Sequence, residues 1–245
     1  MPFAVITGDI IGSSKLKDGQ ERALLAQKLK ECLVFTAKAR TNLEITRGDS
    51  FQVIVHEYKD ALFAAVYIRC FLKTILKPGV EVKKSTNRKK KKTGRNAFVS
   101  AGGKEIRDGV LITDARLSIG IGDINYKAKK LSESDGTAFH NSGRGFDALL
   151  KDRNLSITTD KNITTQKSLE LICEYVDHII KGWSFNQAEV VLALLKAGNK
   201  EIKQSDLANK FGITQPSLSQ RISSANWELL KKSISVSREM LAQEI

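Results

Sequence analysis

The sequence predicts an α+β sheet domain followed by an all-α helix-turn-helix domain. Three observations lead there. Short apolar runs rich in β-branched residues alternate with longer runs of helical period over the first 160 or so residues. From Thr165 onward every periodic run is helical. Near the C-terminus, "DLANKFGITQPSLSQRI" (206–222) has the caps and the glycine turn of a helix-turn-helix. The division falls at 1–162 and 163–245.

The chain opens with "FAVITGDIIGSSKL" (3–16). Val5 to Ile11 reads as a first strand, with one carboxylate, Asp9, inside it. Glu21 to Arg40 reads as a helix, with Leu24, Leu25, Leu29, Cys32, Leu33 and Phe35 on its period. "LEITRGDSFQVIV" (43–55) reads as two strands around a tight Arg47-Gly48-Asp49 turn. Lys59 to Lys77 reads as a second helix, stopped by Pro78-Gly79. "ARLSIGIGDI" (115–124) is a strand with Gly120 and Gly122 inside it. Thr137 to Leu150 is a third helix and "LSITT" (155–159) a further strand. The order β-α-β-β-α-β-α-β describes helices layered on one sheet. Between the second helix and the next strand, residues 83–109 are basic and polar with almost nothing apolar, a long insertion suited to phosphates or to solvent.

In the second domain, "SLELICEYVDHII" places Leu169, Ile172, Val176 and Ile179 on one face of a connecting helix. Ser184 or Asn186 can cap the next helix, which Gly198 ends. Ser205 can cap a short helix with Leu207 and Ala208 turned inward. Gly212 makes the turn, Ile213 plugs the gap, and Thr214 caps a last helix with Pro216 in its first turn. Leu218 and Ile222 then face the core. Gln215, Ser217, Ser219, Gln220 and Arg221 face outward and, with the cap Thr214, are the DNA-contacting candidates. Trp227, Leu230, Ile234, Leu241 and Ile245 form a terminal packing or dimer stripe.

The bulk composition limits the function. Of 245 residues 41% are hydrophobic, enough for a packed core. Forty Lys and Arg against 27 Asp and Glu leave a net charge of +13, which favours a polyanionic partner such as nucleic acid or nucleotides. No apolar run approaches the roughly 20 residues that span a bilayer, and no signal peptide is evident, so no membrane partner and a cytoplasmic location are expected. The three cysteines lie apart in apolar contexts and read as reduced core thiols.

"GDIIGSS" lacks the spacing of a phosphate loop and of a dinucleotide fingerprint. It can be a strand end whose carboxylate caps the next turn. Alternatively Asp9 is a metal ligand, and Asp49 in the hairpin turn is the natural second carboxylate.

Four segments, in order, resemble class III nucleotide cyclases: "DIIGSS" (9–14), "RGDSF" (47–51), "ARLSIGIG" (115–122) and "GTAFHNSGR" (136–144). A closer resemblance is to the bacterial SatD family, in the first-strand Gly-Asp-Ile-x-Gly-Ser, the Arg-Gly-Asp-Ser-Phe-Gln hairpin and the Gly-x-Ala-Phe-x-x-Ser-Gly segment. The C-terminal segment resembles bacterial transcription regulators. The cyclase resemblance implies a ferredoxin-like, cyclase-like βαββαβ sheet domain. It implies Asp9 and Asp49 as ligands of Mg²⁺ or Mn²⁺, with the Ile10 carbonyl as a further ligand. It implies Gly8 and Gly12 near the phosphates of a nucleoside triphosphate or other nucleotide, and Arg144 as the group that stabilises transferring charge. Ser13 is a further nucleotide-binding candidate, and Arg47, beside Asp49, either binds phosphate or holds the hairpin. It also implies a homodimer. The asparagine of the family pattern is replaced by His140, with Asn141 adjacent, and Ile45 stands where a base-reading lysine is found.

The expected function is a nucleotide- and metal-binding domain fused to a DNA-binding helix-turn-helix, acting as a transcriptional regulator or nucleotide sensor. The alternatives are an active nucleotidyl cyclase or transferase using Asp9 and Asp49, and a module that binds nucleic acid non-specifically.

Overall fold

The fold is α+β, seen in a computed structural model that describes residues 2–16, 18–46, 48–80, 109–111, 114–198 and 202–243. Arg47, Ile245 and all but the last residue of the 83–109 insertion lie outside the described residues. Strand β1 (Phe3–Ile11) leads to helix α1 (Gly19–Ala37), then β2 (Leu43–Thr46), β3 (Ser50–Val55), α2 (Ala61–Leu72), β4 (Asp114–Gly122), α3 (Thr137–Asp147) and β5 (Leu155–Thr159). This is the predicted order. The sheet runs β2-β3-β1-β4-β5, antiparallel except for the parallel β4–β5 pair. Its first four strands with α1 and α2 make a βαββαβ unit, to which α3 and β5 add one more crossover. Among the described residues no helix is long and apolar enough to cross a membrane.

Alternation along β1 explains the layers. Ala4, Ile6 and Ile10 face the main core with α1 and α2, whereas Val5 faces Ala138 and Phe139 of α3. Helix α3 lies unusually close to the sheet. A Cβ on Gly120 would sit 2.2 Å from the backbone of Ala138 and of Ser142, so glycine in the strand is a packing requirement. Asp18 caps α1 by accepting from the Gln20 N–H at 2.9 Å. Phe35, on the predicted apolar face, is instead 43% exposed and stacks on Tyr67 at 4.2 Å. Helix α2 stops at Leu72, short of the predicted Lys77. The N–H groups of Thr74 and Ile75 bond three residues back, and the chain then pairs with the far end of the insertion. Leu111 N–H donates to the Ile75 carbonyl at 2.8 Å and Lys77 N–H to the Gly109 carbonyl at 2.9 Å, so the insertion leaves and returns through one short ladder.

The second half begins with α4 (Ile163–Lys181), capped by Asn162. Then come α5 (Phe185–Ala197), α6 (Gln204–Phe211), α7 (Gln215–Ser224) and α8 (Trp227–Ala242). Leu169, Cys173, Val176 and Ile180 of α4 and Leu230, Ile234 and Leu241 of α8 join the same core as the sheet. The Leu230–Leu241 stripe is therefore covered within the chain. At the end of α8, the Leu241 carbonyl accepts from Tyr58 Oη (3.4 Å) and Lys161 Nζ (3.0 Å). All three cysteines are free and buried, and burial pushes each thiol pKa up.

A buried charge cluster joins the two halves. Arg69 of α2, 0% exposed, donates from Nε and Nη2 to both oxygens of Asp114 (2.8 and 2.7 Å) and from Nη1 to Asp177 of α4 (2.7 Å). Asp114 also accepts from the Ala115 N–H, and Asp177 from the Asn154 N–H, both at 2.9 Å. Burial alone would raise the Asp114 pKa, but Arg69 and Lys73 outweigh it and hold the carboxyl below its ordinary value. The resulting stability is present above the unfolded carboxyl's range near ~4 and is lost as pH falls through the depressed folded value. Asp114→Asn, which leaves Arg69 short of a counter-charge, is expected to cost about 3–5 kcal/mol in urea unfolding at pH 7. The deficit relative to the parent should shrink as the pH is lowered toward 3.

Candidate functional site

There are two candidate sites, one at the end of β1 and one on α7. At the first, the turn between β2 and β3 brings Asp49 beside β1: the Ile10 N–H donates to the Asp49 carbonyl at 3.1 Å. The two carboxylates nevertheless point to different partners. Asp9 is paired across the ladder with Arg116 of β4. It accepts two hydrogen bonds from the guanidinium, Nε at 3.0 Å and Nη2 at 2.5 Å. Arg116 in turn lies over the Phe146 ring at 5.3 Å, on the α3 side of the sheet. Asp49 accepts from Ser13 Oγ at 2.6 Å and lines a cavity of ≈ 200 Å³ with Ser13, Ser14, Arg22 and Leu25, on the α1 side.

This arrangement does not fit a metal held jointly by Asp9 and Asp49. The carboxylates are engaged on opposite faces of the sheet, and a guanidinium already occupies both oxygens of Asp9, which disfavours a second cation there. No group of three or more His, Cys, Asp or Glu side chains able to hold a metal occurs among the described residues.

The glycines of the β1 region also divide. Gly8 is not an opening for phosphate: a Cβ there would lie 2.5 Å from Leu117 and 2.7 Å from Phe51, the residues paired with it on either side. It is small because the sheet core is full at that point. Gly12 has φ 82° with open space around it. It turns the chain out of β1 into the short 3-10 turn Ser13–Lys15 and so presents Ser13 to the cavity. Arg22 closes that cavity, its Nε donating to the Leu16 carbonyl at 2.9 Å.

Arg144 and His140 lie on the exposed side of α3. His140 pairs with Asp135 (Nε2 to Oδ1, 2.9 Å). Its neighbour Asn141 is buried and donates from Nδ2 to the Ile121 carbonyl (2.9 Å) and to Asp160 (3.1 Å), a structural bond between α3 and the strand ends.

The second site is built as the sequence reading described, with two corrections. Helix α6 starts at Gln204 with Lys203 as its uncapped N-terminal residue, so Ser205 is inside the helix and caps nothing. Leu207, Ala208 and Leu218 are buried with Val190 of α5 in a small core of their own, closed by Phe211, Ile213 and Ile222. Gly212, at φ 63°, adopts the left-handed conformation that reverses the chain. Thr214 caps α7 by accepting from the Ser217 N–H. Gln215, Ser217, Ser219 and Gln220 are exposed along the first two turns.

The second correction concerns Arg221. It is half-buried rather than outward. Burial pushes its pKa down, and the charge of Glu189 on α5 opposes that shift.

Sequence reasoning missed what aims α7. Trp183 Nε1 donates to the Ala225 carbonyl (3.0 Å) and Gln187 Nε2 to the Ser224 carbonyl (2.9 Å). Gln187 belongs to the capping box of α5 with Ser184, so the start of α5 is tied to the end of α7. It also missed Arg116. A lone cation in one apolar strand and a lone carboxylate in another were the available signal for a cross-strand pair.

No family model matches the chain, and no curated protein or solved structure matches it either.

Because Arg116 holds Asp9, Mg²⁺ or Mn²⁺ alone is expected to leave the thermal midpoint unchanged. A rise that disappears in both Asp9→Asn and Asp49→Asn would show that the two carboxylates regroup around an ion.

Proposed function

We propose that the chain is a DNA-binding regulator that reads duplex DNA with the N-terminal half of α7, and whose α+β domain binds a nucleotide phosphate at the cavity between Ser13 and Asp49. One observation carries the first part. The start of α7 is capped, solvent-facing and lined with short amides and hydroxyls, while its far end is bolted to α5. Amides can pair with adenine edges in a major groove, and hydroxyls accept or donate to any base or phosphate. Lys203 at the head of α6 and Lys231 and Lys232 on α8 are exposed, and the net charge of +13 supplies the general attraction for phosphates.

The nucleotide reading rests on the lining of the smaller cavity. The Ser14 hydroxyl and the Arg22 guanidinium, with its two Nη groups, can donate to a phosphate; Ser13 donates to Asp49, which is the single carboxylate for a phosphate-bound Mg²⁺ or Mn²⁺. Turnover as a cyclase has less support, because Asp9 is held by Arg116 and Arg144 lies on the exposed side of α3.

The test is selection of duplexes from a random pool by the full chain. A defined motif is expected. Gln215→Ala with Gln220→Ala should weaken the selected motif by about 1–3 kcal/mol per lost base contact and leave non-specific binding in place. Lys203→Ala should weaken all sequences alike and flatten the salt dependence. Undiminished motif binding in the double glutamine variant would sink the reading.

A further inference from the structure

A second cavity, larger than the one at the strand end, lies elsewhere in the fold. It measures ≈ 440 Å³ and sits between the C-terminal end of α1, the start of α2 and the last turn of α5. It is therefore walled by the sheet domain on one side and by the helix that supports the helix-turn-helix on the other. Its volume lies within the usual range for small-molecule sites of about 300–1,000 Å³.

We propose that this cavity binds a small aromatic anion, a flat ring bearing one carboxylate or equivalent group. The ring is specified by Phe35 and Phe63. Both line the cavity and both flank Tyr67, at 4.2 and 6.4 Å between ring centres, so an aromatic wall is already assembled. Phe35 is 43% exposed and lines this space, so an occupant can bury apolar area on it by offset stacking. The charge is specified by what lines the same space. Lys38 and Lys196 stand on it from α1 and α5, and His56 adds an imidazole. Of the two acids present, Asp60 accepts from Arg238 of α8 at 2.6 Å, while Glu57 is exposed to solvent.

The location gives the ligand a consequence. Leu195 is buried at the cavity wall, on the same helix, α5, whose Val190 packs with Leu207, Ala208 and Leu218 in the small core. An occupant that fits only one setting of α5 against α1 would favour that setting. Any effect on DNA rests on the DNA-binding reading above; occupancy of the cavity does not.

The experiment is calorimetric titration of the full chain with 2-naphthoate and with the neutral 2-naphthylmethanol. The acid should bind with one-to-one stoichiometry and the alcohol about tenfold or more weakly, the equivalent of one charge contact. Lys196→Glu, at an exposed position, should weaken the acid by about tenfold and leave the alcohol unaffected, whereas Phe35→Ser should weaken both. Hydrogen exchange in the last turn of α5 should slow on binding of the acid. Absence of binding, equal affinity for acid and alcohol, or indifference to Lys196→Glu would each overturn the proposal. All of these readouts are independent of DNA.

Discussion

The arrangement of the two halves depends on one buried guanidinium. Arg69 stands in an otherwise apolar helix, and its solvation is lost entirely. Such a charge is tolerable only where carboxylates and their own hydrogen bonds are fixed around it. Asp114 comes from the first residue of β4 and Asp177 from near the C-terminal end of α4. Three elements far apart in sequence must therefore meet in one geometry before the cluster is satisfied. Lys181 adds a second cation to Asp177 at 2.8 Å, and Lys73 approaches Asp114 at 3.4 Å. A hydrophobic triad of equal volume could supply comparable stability, but it would not dictate register and orientation as a bidentate pair does.

That constraint places α4, and α4 places everything beyond it. With α4 fixed on the sheet domain, Trp183 at its end is positioned to receive Ala225, and α5 starts against α2, where the Ala188 carbonyl accepts from Cys70 Sγ at 3.0 Å. Helix α8 then returns to the sheet domain through Leu230, Ile234 and Leu241, closing a bracket around α6 and α7. The helix-turn-helix has its own small core, yet both of its flanks are anchored to the larger one. The division at residue 162 is thus a change of architecture across which a single apolar core continues.

The elements were legible because their periods are local properties. Short apolar runs marked out β1 and β4, helical spacing marked out α1 and α4, and cap chemistry marked out the ends of α5 and α7. What was not legible is what depends on neighbours distant in sequence. Gly8 looks like a loop residue beside an aspartate, and only its register partners Leu117 and Phe51 reveal a crowded core. The stop of α2 at Leu72 depends on pairing with residues beyond the insertion. Arg69 appears as an isolated charge within an apolar run, and Asp177 as one of several charges on an amphipathic helix. Opposite signs on two such elements are a usable signal, although sequence does not say which pairs meet.

The same distinction governs the reading of Asp9. In sequence, its proximity to a glycine-rich strand end and the presence of Asp49 in a hairpin turn suggest a shared ion. In space, strand alternation decides the matter. Ser50, not Asp49, is the residue opposite Asp9. The side chain one position before Ser50 belongs to the other face, where it meets Ser13 at the cavity beside α1. On its own face Asp9 meets the residue opposite it on β4, which is Arg116. The pair is only partly buried, and ion pairs near the surface contribute about 1 kcal/mol or less to stability, so its main effect is not on folding. Its effect is electrostatic: it neutralises Asp9 and concentrates the polar chemistry of this sheet end around Asp49, Ser13 and Arg22. The lining there is one carboxylate, two hydroxyls and a guanidinium, not the two carboxylates of a shared metal centre.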